Sequence, residues 1–161
     1  MNILAIDAAT KTGWATLIDS KIESGVQDFS LKRGESPGMR FLRFNAWIRQ
    51  IDVLSRDYNK PADADSVFDL VVYEQAHHRG GAPTVVGVGL MTRIQEFAAG
   101  RNIEYTSVHT GTLKKHTTGK GNASKDEMMA WFTEKIGREP IDDNESDAMA
   151  LLCWAIDEFN V

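Results

Sequence analysis

Two apolar runs, each too short for a helix, end on an acid. NILAIDA at 2–8 closes around Asp7, and FDLVVY at 68–73 is followed by Glu74. Runs of this length read as buried strands, and strands with no polar side are covered by helices. Further strands are expected at 13–18 (GWATLI), 22–29 (IESGVQDF) and 103–108 (IEYTSV), with Asp19-Ser20 as a hairpin turn between the first two of these. Three consecutive strands followed by alternation predict an α/β fold, a mixed five-stranded sheet with helices on both faces.

Helical spacing marks the rest. Phe41, Phe44, Ile48, Ile51 and Leu54 form one stripe within 38–56, with Arg40, Arg43, Arg49 and Asp52 around it. A polar connection, 57–66, contains Pro61. A second helix is expected from Thr84 to Ala99. After the last strand comes a short lysine-rich helix. A helix to Ile136 follows, capped by Ser124 with Glu127 at the capping-box position. The final helix is expected to be capped by Asp142 in the same way, with Glu145 three residues on and Ala148, Leu151, Leu152, Ala155 and Phe159 on its core side. The order is β-β-β-α-β-α-β-α-α, with the lysine-rich helix as an extra short turn after the fifth strand. A length of 161 residues suits a single domain, 1–161.

The sequence contains no apolar stretch long enough to span a bilayer, and its start reads as a strand rather than a signal peptide. The one cysteine, Cys153, lies among Leu151, Leu152 and Trp154, so it is expected to be a buried small apolar group. It excludes an internal disulfide and points to the cytoplasm. The net charge of −5 counts against a nucleic-acid partner only if read globally. Residues 111–125 carry Lys114, Lys115, Lys120 and Lys125 and no acid.

Asp7 and Glu74 each stand at the carboxyl end of a strand, where open α/β sheets bind ligands. In the final helix Asn144 and Asp147 are three apart and Asp143 and Asp147 four apart, so each pair shares a face. Asp147 continues into Ala148 and Leu151 and should therefore point at the sheet, where an unpaired carboxylate is costly. Converging carboxylates repel one another unless a cation joins them. All-oxygen ligands suit magnesium or manganese, and two such ions can drive phosphodiester cleavage. An acid at a strand end can equally be a turn or cap residue, and Asp142 is better explained as a cap than as a ligand.

Four segments carry a resemblance: ILAIDAATKTGWA, VVYEQAHHRGG, SVHTGTLKKHTTGKGNASKDEM and NESDAMALL. In that order they resemble the motifs of the RuvC-like Holliday junction resolvases of the RNase H-like superfamily, and they span nearly the whole chain. The compact form is most similar to phage or prophage members. The resemblance implies that Asp7, Glu74 and Asp147 hold two magnesium or manganese ions and that Lys114 and Lys125 lie near the cleaved strand. Lys115, Lys120, His77 and Arg79 complete the expected DNA-binding set. The resemblance further implies branched DNA as substrate and a homodimer as the working form. The position three before the final aspartate, usually Asp or His in the family, is Asn144 here. Its carbonyl can ligate but adds no charge and cannot act as a base, so adjacent Asp143 is the alternative ligand. His77 stands where some members carry an aromatic wedge. It can stack on a base, or it is an ordinary loop histidine.

Rival readings are weaker. Gly119-Lys120-Gly121 lacks the spacing of a phosphate loop, so no nucleotide cofactor is expected. His77, His78, His109 and His116 have no zinc-site pattern. An actin-like phosphotransferase needs two lobes, and this length supplies barely one. A DNA-structure binder that has lost cleavage, with Asn144 as the sign of loss, is the other alternative.

Residues 85–91, Val-Val-Gly-Val-Gly-Leu-Met, carry no polar side chain. A helix apolar all round needs a second covering surface, and Gly87 and Gly89 would let another helix approach. A two-fold partner is the expected cover, with the 57–66 connection or the 79–83 loop as the alternative.

Overall fold

The computed structural model describes residues 1–55, 66–76 and 80–161. Its strands are β1 (Ile3–Asp7), β2 (Lys11–Ile18), β3 (Lys21–Asp28), β4 (Leu70–Glu74) and β5 (Glu104–Val108). Its helices are α1 (Gly38–Leu54), α2 (Ala82–Gly100), α3 (Thr110–Thr118), α4 (Lys125–Ile136) and α5 (Asp143–Phe159). The strands form one sheet in the order β3-β2-β1-β4-β5. The β1–β2 and β2–β3 pairs are antiparallel, while β1–β4 and β4–β5 are parallel. The mixed sheet is as expected, and the two acid-ending strands are neighbours at its centre.

Alternation along the strands divides the core. Ile3, Ala5, Leu70 and Val72 face one side and pack with Leu113, Phe132, Ala148, Leu151 and Leu152 of α3, α4 and α5. Leu4, Ile6, Val71 and Tyr73 face the other and meet Phe44 and Ile48 of α1 and Leu90 and Ile94 of α2. Full burial of a leucine or isoleucine contributes about 1.5–3 kcal/mol. The apolar side of α5 therefore fixes which face of this helix meets the sheet, whatever its acids do.

Local signals mostly hold. Asp19 and Ser20 both take positive φ in the β2–β3 turn, the geometry of a tight hairpin. Ser124 and Glu127 form a complete capping box. Asp142 caps α5 by accepting from the amides of Asn144 and Glu145, but Glu145 does not return the bond to the cap residue. Its carboxylate accepts instead from the amide of Ile141, at 2.6 Å. Cys153 is half-buried against the α5 core, and burial pushes its thiol up.

Two helices differ from expectation at particular positions. In α1, Leu54 is 65% exposed, while Asp52 is fully buried. Asp52 accepts from Ser66 Oγ at 2.6 Å and from the Val67 amide at 3.1 Å, and Arg101 lies 3.5 Å away, so hydrogen bonds and charge meet the cost of burial. In α5, Phe159 is 38% exposed and packs edge-on against Trp154. The helix that approaches Gly89 is α1 of the same chain: a Cβ on Gly89 would lie 2.5 Å from the Phe41 ring. Met91 packs into the core beside α1, whereas Val85 is 68% exposed. The 57–65 part of the connection and His77, His78 and Arg79 lie outside the described residues.

Candidate functional site

Parallel pairing sets Ile6 beside Tyr73, so Asp7 and Glu74 end their strands side by side. The alternation that sends Ile3 and Ala5, or Leu70 and Val72, toward α5 sends Asp7 and Glu74 to that same side. Both line a cleft of about 380 Å³ at the strand ends, with Ala8, Gln75, Pro83 and Gly87 among its walls.

The last helix reaches this point through a notch in β2. Gly13 pairs with Asp7 across the β1–β2 ladder. A Cβ on Gly13 would lie 1.9 Å from the backbone oxygen of Asn144. The missing side chain lets the first turn of α5 rest directly on the sheet next to Asp7. An isolated glycine inside a strand is itself a sequence sign of close backbone approach.

The acids lie near enough to one another to act on each other's protons. Burial raises the Asp7 carboxyl well above its usual range, and repulsion from Glu74, Asp147, Asp143 and Asp142 raises it further. The Asp147 carboxyl is pushed up to about 7 by burial, then by Glu74 and Asp143, against the opposing pull of Lys114 and Lys125. Lys125 donates to Asp143, and that bond, with the nearby acids, raises its ammonium group above the usual value. The side-chain nitrogen Nδ2 of Asn144 donates to Asp142 Oδ2 at 3.1 Å. Thr110, the first residue of α3, donates its hydroxyl to Glu74.

The four lysines do not form one stripe. Lys114 and Lys125 act on the acidic centre. Lys120 is paired with Glu127 at 3.0 Å. Lys115 lines a separate open hollow with His109, His116 and Trp154.

Among the described residues, no three acidic, histidine or cysteine side chains are drawn closely enough together to make a finished cation cage. The donor chemistry nevertheless fits hard divalent cations. It consists of carboxylate and amide oxygens only, and the acids hold one another's carboxyl groups up for want of enough positive charge. Lys125 supplies part of that charge. Asp7, Glu74, Asp147 and either Asn144 or Asp143 are the residues that could hold such ions.

Three contributors escaped sequence reasoning. Thr110 carries no signal beyond its place at a helix start. Gly13 carried one. Glu145 looked like a routine capping residue, yet it is fully buried and paired with Arg138.

In this mixed five-stranded α/β fold, a central pair of acid-ending strands is faced by an acidic helix start. This chain shares that fold with RuvC of Thermus thermophilus, at 16% identity and a TM-score of 0.70 over 99% of this chain and 97% of that one. Thermus thermophilus RuvC in complex with a Holliday junction substrate matches at 16% identity and a TM-score of 0.71, over 94% and 90% of the two chains. The fowlpox virus resolvase in complex with Holliday junction DNA matches at 12% and 0.58, over 97% and 99%. No family model and no curated protein matches the sequence. Among the described residues, no helix is long and apolar enough to cross a membrane.

Proposed function

We propose that this chain is a metal-dependent endonuclease that cuts branched DNA, with four-way junctions as its first candidate substrate. The observation that carries the reading is the side-by-side placing of Asp7 and Glu74 in one cleft, with Asp147 of α5 near enough to act on both, on a fold shared with the fowlpox virus resolvase. When bound, magnesium or manganese would lower the pKa of water and neutralise charge at the phosphate being cut. Asp7 and Glu74 would hold the ions from the rigid sheet, and Asp147 with Asn144 or Asp143 would hold them from the helix. Lys125, which bonds Asp143, would neutralise a phosphate once released from it, and Lys114, which also acts on Asp147, would assist. The likeness to the two junction complexes supports branched DNA as the partner, and a cytoplasmic single-domain homodimer is the form proposed.

The exposed Val85 is the observation that still favours a partner subunit on α2, although Gly89 serves α1. A nuclease assay in magnesium, comparing a four-way junction with a linear duplex of matching sequence, tests the reading. Cleavage near the branch point supports it. Junction binding without cleavage in either magnesium or manganese would favour the inactive structure-binder instead.

A further inference from the structure

We propose that the buried Glu145 and its exposed partner Arg138 form a clamp whose task is to position the start of α5, and with it Asn144 and Asp147, over Asp7. The inference rests on the metal-site reading above. Glu145 is a positioning residue. Residues on a helix advance by about 100° each, so Asn144 and Asp147 both point away from Glu145, and it can act on them only through the backbone.

The carboxylate of Glu145 is fully buried. Its Oε1 accepts from Ser24 Oγ at 2.7 Å and from Arg138 Nη2 at 2.5 Å. Its Oε2 accepts from the Ile141 amide at 2.6 Å and from Arg138 Nη1 at 3.2 Å. The donors come from strand β3 and from both ends of the link between α4 and α5. Burial alone would raise the Glu145 carboxyl, but Arg138, Ile141 and Ser24 together hold it below the usual range. Arg138 is steadied in turn, its guanidinium lying 5.1 Å over the Phe132 ring and its Nη2 donating to Ser24 Oγ at 3.1 Å.

Stability alone gives a poor reason for this arrangement. Burying the Glu145 carboxylate carries a desolvation cost that its pairing with an exposed arginine offsets at best, and the best-attested use of a buried ionic group is to fix register. The register fixed here is that of the α5 start. Below it the Gly13 notch admits the Asn144 carbonyl at one depth, and the clamp sets rotation and slide along the sheet. One turn of slippage would carry Asp147 away from Asp7 while leaving the apolar stripe of α5 largely satisfied.

The test compares the full-length protein with its Glu145→Gln and Arg138→Lys variants, by manganese-dependent thermal shift without DNA and by the magnesium needed for half-maximal junction cleavage. Arg138→Lys keeps a positive charge beside Glu145 but loses the paired N–H fork, and it serves if Glu145→Gln fails to fold. Loss of outer-shell support commonly weakens a metal site about 10–100-fold. A shift of about tenfold or more in both manganese and magnesium midpoints is expected, with junction binding in calcium unchanged. A lower starting melting temperature with unchanged metal midpoints would make the clamp merely structural and overturn the proposal. Absence of any manganese shift in the wild type would instead sink the metal-site reading on which it rests.

Discussion

The backbone oxygen of Asn144 occupies the space where a side chain on Gly13 would begin, 1.9 Å from the position of that missing Cβ. A strand in the middle of the fold and the helix bearing the acidic centre thus touch backbone to backbone. Gly13→Ala must move one of them. Over-packing of this kind costs about 1–3 kcal/mol, or roughly 2–12 °C in melting temperature for a chain of this size. Nuclease activity should fall further than that loss of stability explains, because the displaced turn carries Asn144. Wild-type activity at a temperature where the variant is fully folded would argue against this.

Asp7→Asn and Glu74→Gln should each reduce junction cleavage by about 100-fold or more, the scale on which removing one group that stabilises transition-state charge acts. Both variants should bind junctions in calcium as the wild type does, since neither residue is asked to hold DNA. Gel shift and cleavage assays on the same preparations separate the two effects. Full cleavage by either variant in saturating magnesium would remove that residue from the mechanism.

Asp147 gives a pH signature. Its folded-state carboxyl is raised from 3.8 to about 7, so between those values the folded chain holds a proton that the unfolded chain gives up. The associated stabilisation is fully present below pH ~4 and is lost as pH rises through about 7. Without divalent metal, the wild type should lose melting temperature between pH 6 and pH 8 relative to Asp147→Asn. Manganese should stabilise the wild type more at pH 8 than at pH 6, because a cation then takes the proton's place. Calorimetry in chelator and in manganese decides it, and an equal manganese effect at both pH values would contradict the assignment.

The lysines should separate by place. If Lys114 and Lys125 each neutralise a phosphate, their alanine variants should each flatten the salt dependence of log K by roughly 0.9 on duplex arms. Lys120 is tied to Glu127 and Lys115 faces the Trp154 hollow, so their variants should move the slope less. Lys125→Ala should also slow cleavage of bound junction. Four equal slopes would restore a single lysine stripe.

Val85→Glu should convert a dimer to a soluble monomer. Val85 is the most exposed large apolar residue on α2, and a two-fold interface would meet the new charge twice. Light scattering that gives the wild type the mass of one chain would dispose of the dimer before any variant is made.

Much of this architecture was legible because short apolar runs and capping residues act locally. The Ser124–Glu127 box, the Asp19-Ser20 turn and the acids at the ends of β1 and β4 needed only nearby residues to be read. What sequence did not reveal depends on contacts between distant segments. Asp52 looked like the polar side of α1 until Ser66 and Arg101 came to it. Glu145 looked like half of a capping box until Ser24 and Arg138 took its carboxylate. Gly89 suggested a partner helix, and α1 supplied one from within.

The central position of β1 and β4 has a consequence for motion. They lie at the middle of the sheet and are buried, so their amides should exchange with solvent only on global unfolding, and Asp7 and Glu74 ride on the firmest part of the molecule. Asn144 rides on the first turn of α5 and Asp147 just beyond it, on an element held to the sheet by side-chain contacts rather than by strand pairing. The acidic centre is therefore half anvil and half jaw. Sequence drift in the link between α4 and α5 can retune how the jaw is seated, with no change to the anvil.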